Sequence, residues 1–133
     1  MSRRTDQRRD AAFALYQHLV TGRDLADTLP PDATLFTRSL ALAAEDRAAE
    51  LDAVIARHAK GWTIDRIAPL EKAIMRVALI EMLHPDAAPG DTPIPPEGAI
   101  DEAVQTAKTY SGAEAPGFVN GILAAALRED VAG

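Results

Sequence analysis

Cysteine is absent from the 133 residues, which excludes disulfide frameworks, thiolate metal sites and cysteine nucleophiles together. The three histidines, His18, His58 and His84, are far apart and form no H-x-x-x-H or H-E-x-x-H pair, so a zinc site has no support. His18 and His58 lie beside apolar stripes and read as core or boundary residues. The eight glycines contain no G-x-x-x-x-G-K-[ST] or G-x-G-x-x-G run, which removes the common phosphate cradles. Only three serines are present, none in a nucleophile-elbow context, and the carboxylates are scattered over helix faces. No catalytic constellation emerges, and neither an enzyme nor a cofactor is expected. The longest strongly apolar stretch, Ala73 to Leu83, is interrupted by Arg76 and Glu81 and is far too short for a bilayer. The first ten residues, Met-Ser-Arg-Arg-Thr-Asp-Gln-Arg-Arg-Asp, have no apolar segment behind them, which predicts a cytoplasmic protein without a secretory signal.

What is present is ordinary globular material, 47% hydrophobic and 26% charged, in a length that suits a single domain over residues 1–133. A chain of this length buries roughly two-thirds of its unfolded surface, so its core needs no staple. Charge is unevenly placed. Residues 1–60 carry nine basic and nine acidic side chains, whereas residues 61–133 carry five and eleven, which accounts for the net charge of −6. An acidic chain repels phosphate at long range. Arg3, Arg4, Arg8 and Arg9, however, stand within seven positions against Asp6 alone, and the cellular Debye length of about 8 Å leaves such a cluster free to act locally. The plain alternative is a solvated terminus, flexible over residues 1–5.

Helical periodicity appears in every long segment and strand alternation in none, so the fold class is all-α. A first helix is expected from Asp6 to Val20, with Ala12, Leu15, Tyr16 and Leu19 on its inner stripe, Phe13 beside them and Gly22 as the stop. Pro30-Pro31 forbids a continuous helix. From Asp32 to Lys60 the pattern runs on, with stripes Leu35, Phe36, Leu40, Ala43 and then Leu51, Val54, Ile55, His58. Unbroken, that helix would be about 42 Å long, so a bend near Glu45 to Ala48 is expected. Thr63 or Asp65 is a candidate cap for the next helix. Leu70 to His84 is apolar almost all round, with Lys72 and Arg76 on one narrow side, which predicts the centre of a bundle. Pro85 to Pro96 holds five prolines and reads as an exposed loop. Helices over Pro96 to Tyr110 and Pro116 to Asp130 complete a count of six or seven.

The first helix contradicts local preference. Arg8 and Arg9 fall in its first turn, where a cation costs roughly 0.3–1 kcal/mol, and Arg4 and Arg8 are a like-charge i, i+4 pair. Such a conflict marks a place to seek function. A helix N-terminus with flanking arginines suits phosphate, and Tyr16, two turns after Arg9, offers either a stacking plane for an unstacked base or a core aromatic.

Four blocks together resemble one family. Arg-Arg-Asp-Ala-Ala-Phe-Ala-Leu-Tyr-Gln (8–17) is similar to the basic opening of the NusB transcription antitermination factors, and Leu70 to Ala78 to their central helix. Ile100 to Val104 with Ala107 to Tyr110 resembles the next helix, and Phe118-Val119-Asn120-Gly121-Ile122-Leu123 the final signature. The blocks follow in family order over about residues 3–127. The resemblance implies two small packed helical bundles. It implies pairing with NusE, a small-subunit ribosomal protein, and binding of single-stranded boxA RNA in nascent ribosomal transcripts, within the RNA polymerase antitermination complex. Carried over by motif, Arg4, Arg8, Arg9, Tyr16 and Phe118, with the polar positions just before Phe118, would touch RNA. Glu71, Arg76 and Glu81 would face NusE or the junction between partner and RNA; a solvated helix face is the other reading of Glu71 and Arg76. Three departures stand out. Gly117 occupies a position where the family often carries lysine, Asp101 stands where asparagine is usual, and the Pro85 to Pro96 loop is longer and richer in proline. They shrink the basic surface and imply low RNA affinity without the partner. A scaffold or homodimer that hides the arginine face would also fit the pattern. So would a free-standing relative of the RNA-binding domain of ribosomal RNA cytosine methyltransferases.

Overall fold

A computed structural model describes residues 3–90 and 93–131. Seven α-helices lie in the described residues: α1 (Arg4–Thr21), α2 (Leu25–Thr28), α3 (Leu35–Asp46), α4 (Ala48–His58), α5 (Pro69–Leu83), α6 (Pro96–Tyr110) and α7 (Ala115–Ala126). No strand occurs among these residues. The apolar helix α5 is the central one, packing against α1, α3, α4, α6 and α7. It thereby joins one bundle, with α1 and α3, to a second, with α4, α6 and α7, and the buried residues of both form one connected cluster.

The expected bend occurs at a single residue. Arg47 leaves the helical region (φ −107°, ψ 19°) between α3 and α4, so the chain turns inside the domain instead of projecting past it. Helix α1 is closed by Gly22, whose φ of 74° is left-handed and whose N–H donates to the His18 carbonyl. Thr34 caps α3 by accepting from the Thr37 N–H. Helix α5 starts instead behind Ala68, with Pro69 in its first turn and no side-chain cap. Thr63 precedes only a short 3₁₀ turn, Ile64–Arg66, and makes no capping bond there. A tighter turn also opens the proline-rich loop, at Pro85–Ala87.

The inner faces differ from the expected stripes at two places. Helix α1 buries Gln7, Ala11, Ala12, Ala14 and Leu15, and this alanine-rich face brings α5 close while leaving Tyr16 36% exposed. In α3 the buried set is Phe36, Thr37, Leu40, Ala41 and Ala44, and Leu35 points outward. A threonine explains the rotation: the Thr37 hydroxyl donates to the Gln7 carbonyl across α1 and α3, satisfying a buried polar group. Past α7 the chain widens into a π turn, Leu127–Val131. Asp130 there accepts from His58 Nε2 at 2.7 Å and also pairs with Arg57, both on α4.

Candidate nucleic-acid interface

Helix α1 begins at Arg4, two residues before the expected start, so Arg8 and Arg9 occupy its second turn and the conflict with the helix dipole falls on Arg4 instead. Arg4 and Thr5, expected in a loose terminus, are helical. The like-charge pair is resolved by its surroundings. The Arg4 guanidinium lies 4.1 Å above the Phe36 ring centroid and the Arg8 guanidinium 5.3 Å from it, a favourable placement of cations on an aromatic face. Arg4 Nη1 also donates to Gln7 Oε1 at 2.7 Å. Arg8 is held by two carboxylates. Its Nε and Nη2 donate to the two oxygens of Glu81 at 2.6 and 3.0 Å, and its Nη1 to Glu102 Oε1 at 3.0 Å. Arg4, Arg8, Phe36 and Glu81 line a cleft of about 610 Å³, whose other wall is the proline-rich loop at Pro85, Pro89 and Pro93.

Arg9 stands on another face. It pairs with Asp6 and Asp10 at 3.2 and 3.4 Å. Partial burial works against its charge, but bonds to Tyr110 and Asp10 outweigh that and hold its pKa above the ordinary value. Tyr110 also meets Phe13 edge-on at 5.0 Å. Arg9, Phe13 and Tyr16 follow one another along this side of α1, and Tyr16, expected to be either core or surface, is on the surface.

Phe118 lies at the other end of α5. Its ring meets Trp62 at 5.9 Å and 68°, and the two line a cleft of about 350 Å³ with Arg66, Glu71 and the Gly112–Ala115 segment. Glu71 accepts from the Ser111 hydroxyl at 3.2 Å. Trp62 is absent from the sequence-derived candidates, yet at 52% exposure it is a main aromatic of this cleft; a tryptophan next to a loop glycine, here left-handed Gly61, is the signal that points to it, since an exposed indole is an amphipathic contact surface. Ten positions of α5 separate Glu71 from Glu81, about 15 Å along the axis.

Arg76 requires a correction. Expected at a partner contact or on a solvated face, it is only 4% exposed, with Nε and Nη2 on the two oxygens of Asp52 at 2.8 and 2.6 Å. Burial in α5 is tolerated because α4 supplies that carboxylate, so Arg76 stitches α5 to α4 and presents nothing outward. Glu81 is likewise enclosed, at 10% side-chain exposure, within the Arg8 network. The sequence-derived residues thus divide into Arg4, Arg8 and Glu81 at one end of α5, Glu71 and Phe118 at the other, Arg9 and Tyr16 on the outer side of α1, and Arg76 inside.

The profile of the NusB family matches residues 5–128. The chain belongs to the NusB family. Among relatives, the transcription antitermination protein NusB of Rubrobacter xylanophilus is 37% identical over 129 residues, covering 92% of this chain and 88% of that protein. Among solved structures, Thermotoga maritima NusB superposes with a TM-score of 0.82 at 28% identity, over 96% of this chain and 92% of that one. A chain from the crystal structure of antitermination factors NusB and NusE in complex with dsRNA gives a TM-score of 0.78 at 23% identity, over 94% and 96%, and attests the fold. The NusB assignment agrees with the all-α architecture around α5. No described helix is long and apolar enough to cross a membrane.

Proposed function

We propose that this NusB-family chain is a non-enzymatic transcription antitermination factor. It binds single-stranded boxA RNA of nascent ribosomal transcripts in company with NusE, inside the cytoplasmic RNA polymerase antitermination complex. The observation that carries this reading is the convergence of the Arg4 and Arg8 guanidiniums over Phe36 at the rim of an open cleft. Guanidiniums supply bidentate donors for phosphate. Exposed Trp62, with partly buried Phe118 edge-on beside it, and Tyr16 provide planes on which bases stack. Arg66, exposed in the Trp62 cleft, stands near the segment where Gly117 replaces the usual lysine, and supplies a cation there. Glu71, at the mouth of the same cleft, is the acidic contact offered to a basic partner such as NusE.

The test is RNA binding measured with and without NusE, on single-stranded boxA RNA and on a duplex of the same sequence. Tighter binding of the single strand, strengthened by NusE, is expected. Equal binding of both forms would remove the stacking part of the reading. NusE binding with no RNA contact would establish the scaffold, which the engagement of Arg8 by two carboxylates favours.

A further inference from the structure

The Arg8 network does more than hold α1 to its neighbours. Arg8 uses three N–H donors on carboxylates and its side chain is 13% exposed. A phosphate arriving at this end of α5 therefore meets a cation that is already taken. The two carboxylates are not equivalent. Glu81 holds Arg8 through both oxygens and is 10% exposed, whereas Glu102 uses one oxygen at 3.0 Å and is 25% exposed. The same Glu102 oxygen is steadied by the Thr5 hydroxyl at 2.8 Å. With Arg4 alongside, the charges facing this spot are two arginines against three carboxylates, Glu81, Glu102 and Asp86 of the cleft wall, with His84 beside them.

We infer that Glu102, steadied by Thr5 and backed by Glu81, competes with phosphate for Arg8 and so sets the RNA affinity of this surface downward. This rests on the proposed RNA contact of Arg8. Exchange begins at Glu102, the more exposed and singly bonded partner, while Glu81 keeps the guanidinium oriented. A cation brought to Glu102 by a basic partner would release Arg8 in the same way, linking partner binding to RNA binding through one side chain.

The experiment titrates labelled single-stranded oligouridylate, sufficient because phosphate contacts carry no base information, with the full chain and its variants, each first checked for helicity. Glu102→Gln should bind about fivefold more tightly, the scale of one partly exposed ion pair. Glu97→Gln, which removes the same charge from an exposed position of α6, should gain less than about twofold. Thr5→Ala changes no charge and should gain about twofold by loosening Glu102. In an Arg8→Ala background the gain from Glu102→Gln should vanish. Equal gains from Glu102→Gln and Glu97→Gln, or a gain that survives the loss of Arg8, would overturn the competition while leaving RNA binding in place. No RNA binding by the parent or by any variant, first without NusE and then with NusE present, would overturn both it and the function proposed above.

Discussion

Arg8 and Arg76 make the same contact in different surroundings. Each sets Nε and Nη2 on the two oxygens of one carboxylate, Arg8 on Glu81 and Arg76 on Asp52. Arg8 does so at the rim of an open cleft, with Phe36 beneath it and a second carboxylate within reach. Arg76 does so inside, with Nη1 buried and without a hydrogen-bond partner among the described residues. The difference lies in the guanidinium and its second partner: the Arg76 side chain is 5% exposed and has Asp52 as its one carboxylate among the described residues, whereas that of Arg8 is 13% exposed and shares Glu102, a partly exposed carboxylate that another anion can replace at less cost. Guanidinium geometry is thus common to both positions, and access to solvent decides which of them serves the fold and which serves binding.

The comparison breaks most visibly at Arg76. Arg76→Ala should lower unfolding free energy by about 1.5–3 kcal/mol, the scale of hydrogen bonds to a charged group whose partner Asp52 keeps partial access to water, measured by urea denaturation, while Arg76→Met combined with Asp52→Leu should recover most of it. A loss below about 1 kcal/mol would mean that the pair is solvated after all. Next in size is Tyr16→Ala, which should cost roughly 1–3 kcal/mol of RNA binding with Tyr16→Phe nearly silent. Because the ring is exposed, the melting temperature should stay close to the parent's, so a large drop would return Tyr16 to the core. Glu71→Lys should weaken NusE binding by about 1 kcal/mol in titration calorimetry with the fold intact. Arg8→Ala should make the slope of log K against log salt shallower by about 0.7 and weaken all single-stranded sequences alike.

The smallest effect is a pH dependence of stability. His18 Nδ1 lies 2.6 Å from the Arg23 carbonyl and Nε2 lies 3.2 Å from Glu45. The carbonyl chiefly, against the opposing pull of burial and with help from Glu45, raises its pKa above 6.5. A raised folded value contributes stability in full below about pH 6.5 and loses it as pH climbs through that value. A shallow fall in melting temperature is therefore expected above pH 6.5, and His18→Gln should flatten it. On the acid side the sign reverses. His84 holds Glu50 below its usual range, and bonds from His58 and Arg57 outweigh burial to do the same for Asp130. Their contribution is present above about pH 4 and disappears as pH falls through the lowered values.

Length and breakers made much of the fold legible. A 42 Å helix cannot fit this domain, which located the break at Arg47 to within two residues. Pro96 and Ser111-Gly112 bracketed α6 as found. Side-chain direction was harder, because alanines on α1 and Thr37 on α3 count as weak or polar in a hydrophobic stripe yet are buried here. Tyr16 and Leu35 were drawn inward on that account. Arg76 was misplaced for a different reason: its partner Asp52 is 24 positions away on another helix, and no local pattern announces such a pairing. The charged cluster at the start of α1 was visible, but its binding to Glu81 and Glu102, 73 and 94 positions distant, was not.

Trp62 is the sole tryptophan of the chain, and it stands half out of the surface beside Phe118. The protein therefore carries a built-in optical reporter confined to one end of α5. Quenching or a blue shift of its emission registers whatever settles in the Trp62 cleft, while events around Arg8, held by Glu81 about 15 Å along α5 from the Glu71 of that cleft, leave its emission unchanged. Anisotropy of a labelled RNA registers both ends at once. Overlaying the two signals in one titration gives the order in which a strand occupies the molecule, with no fluorophore added to the protein.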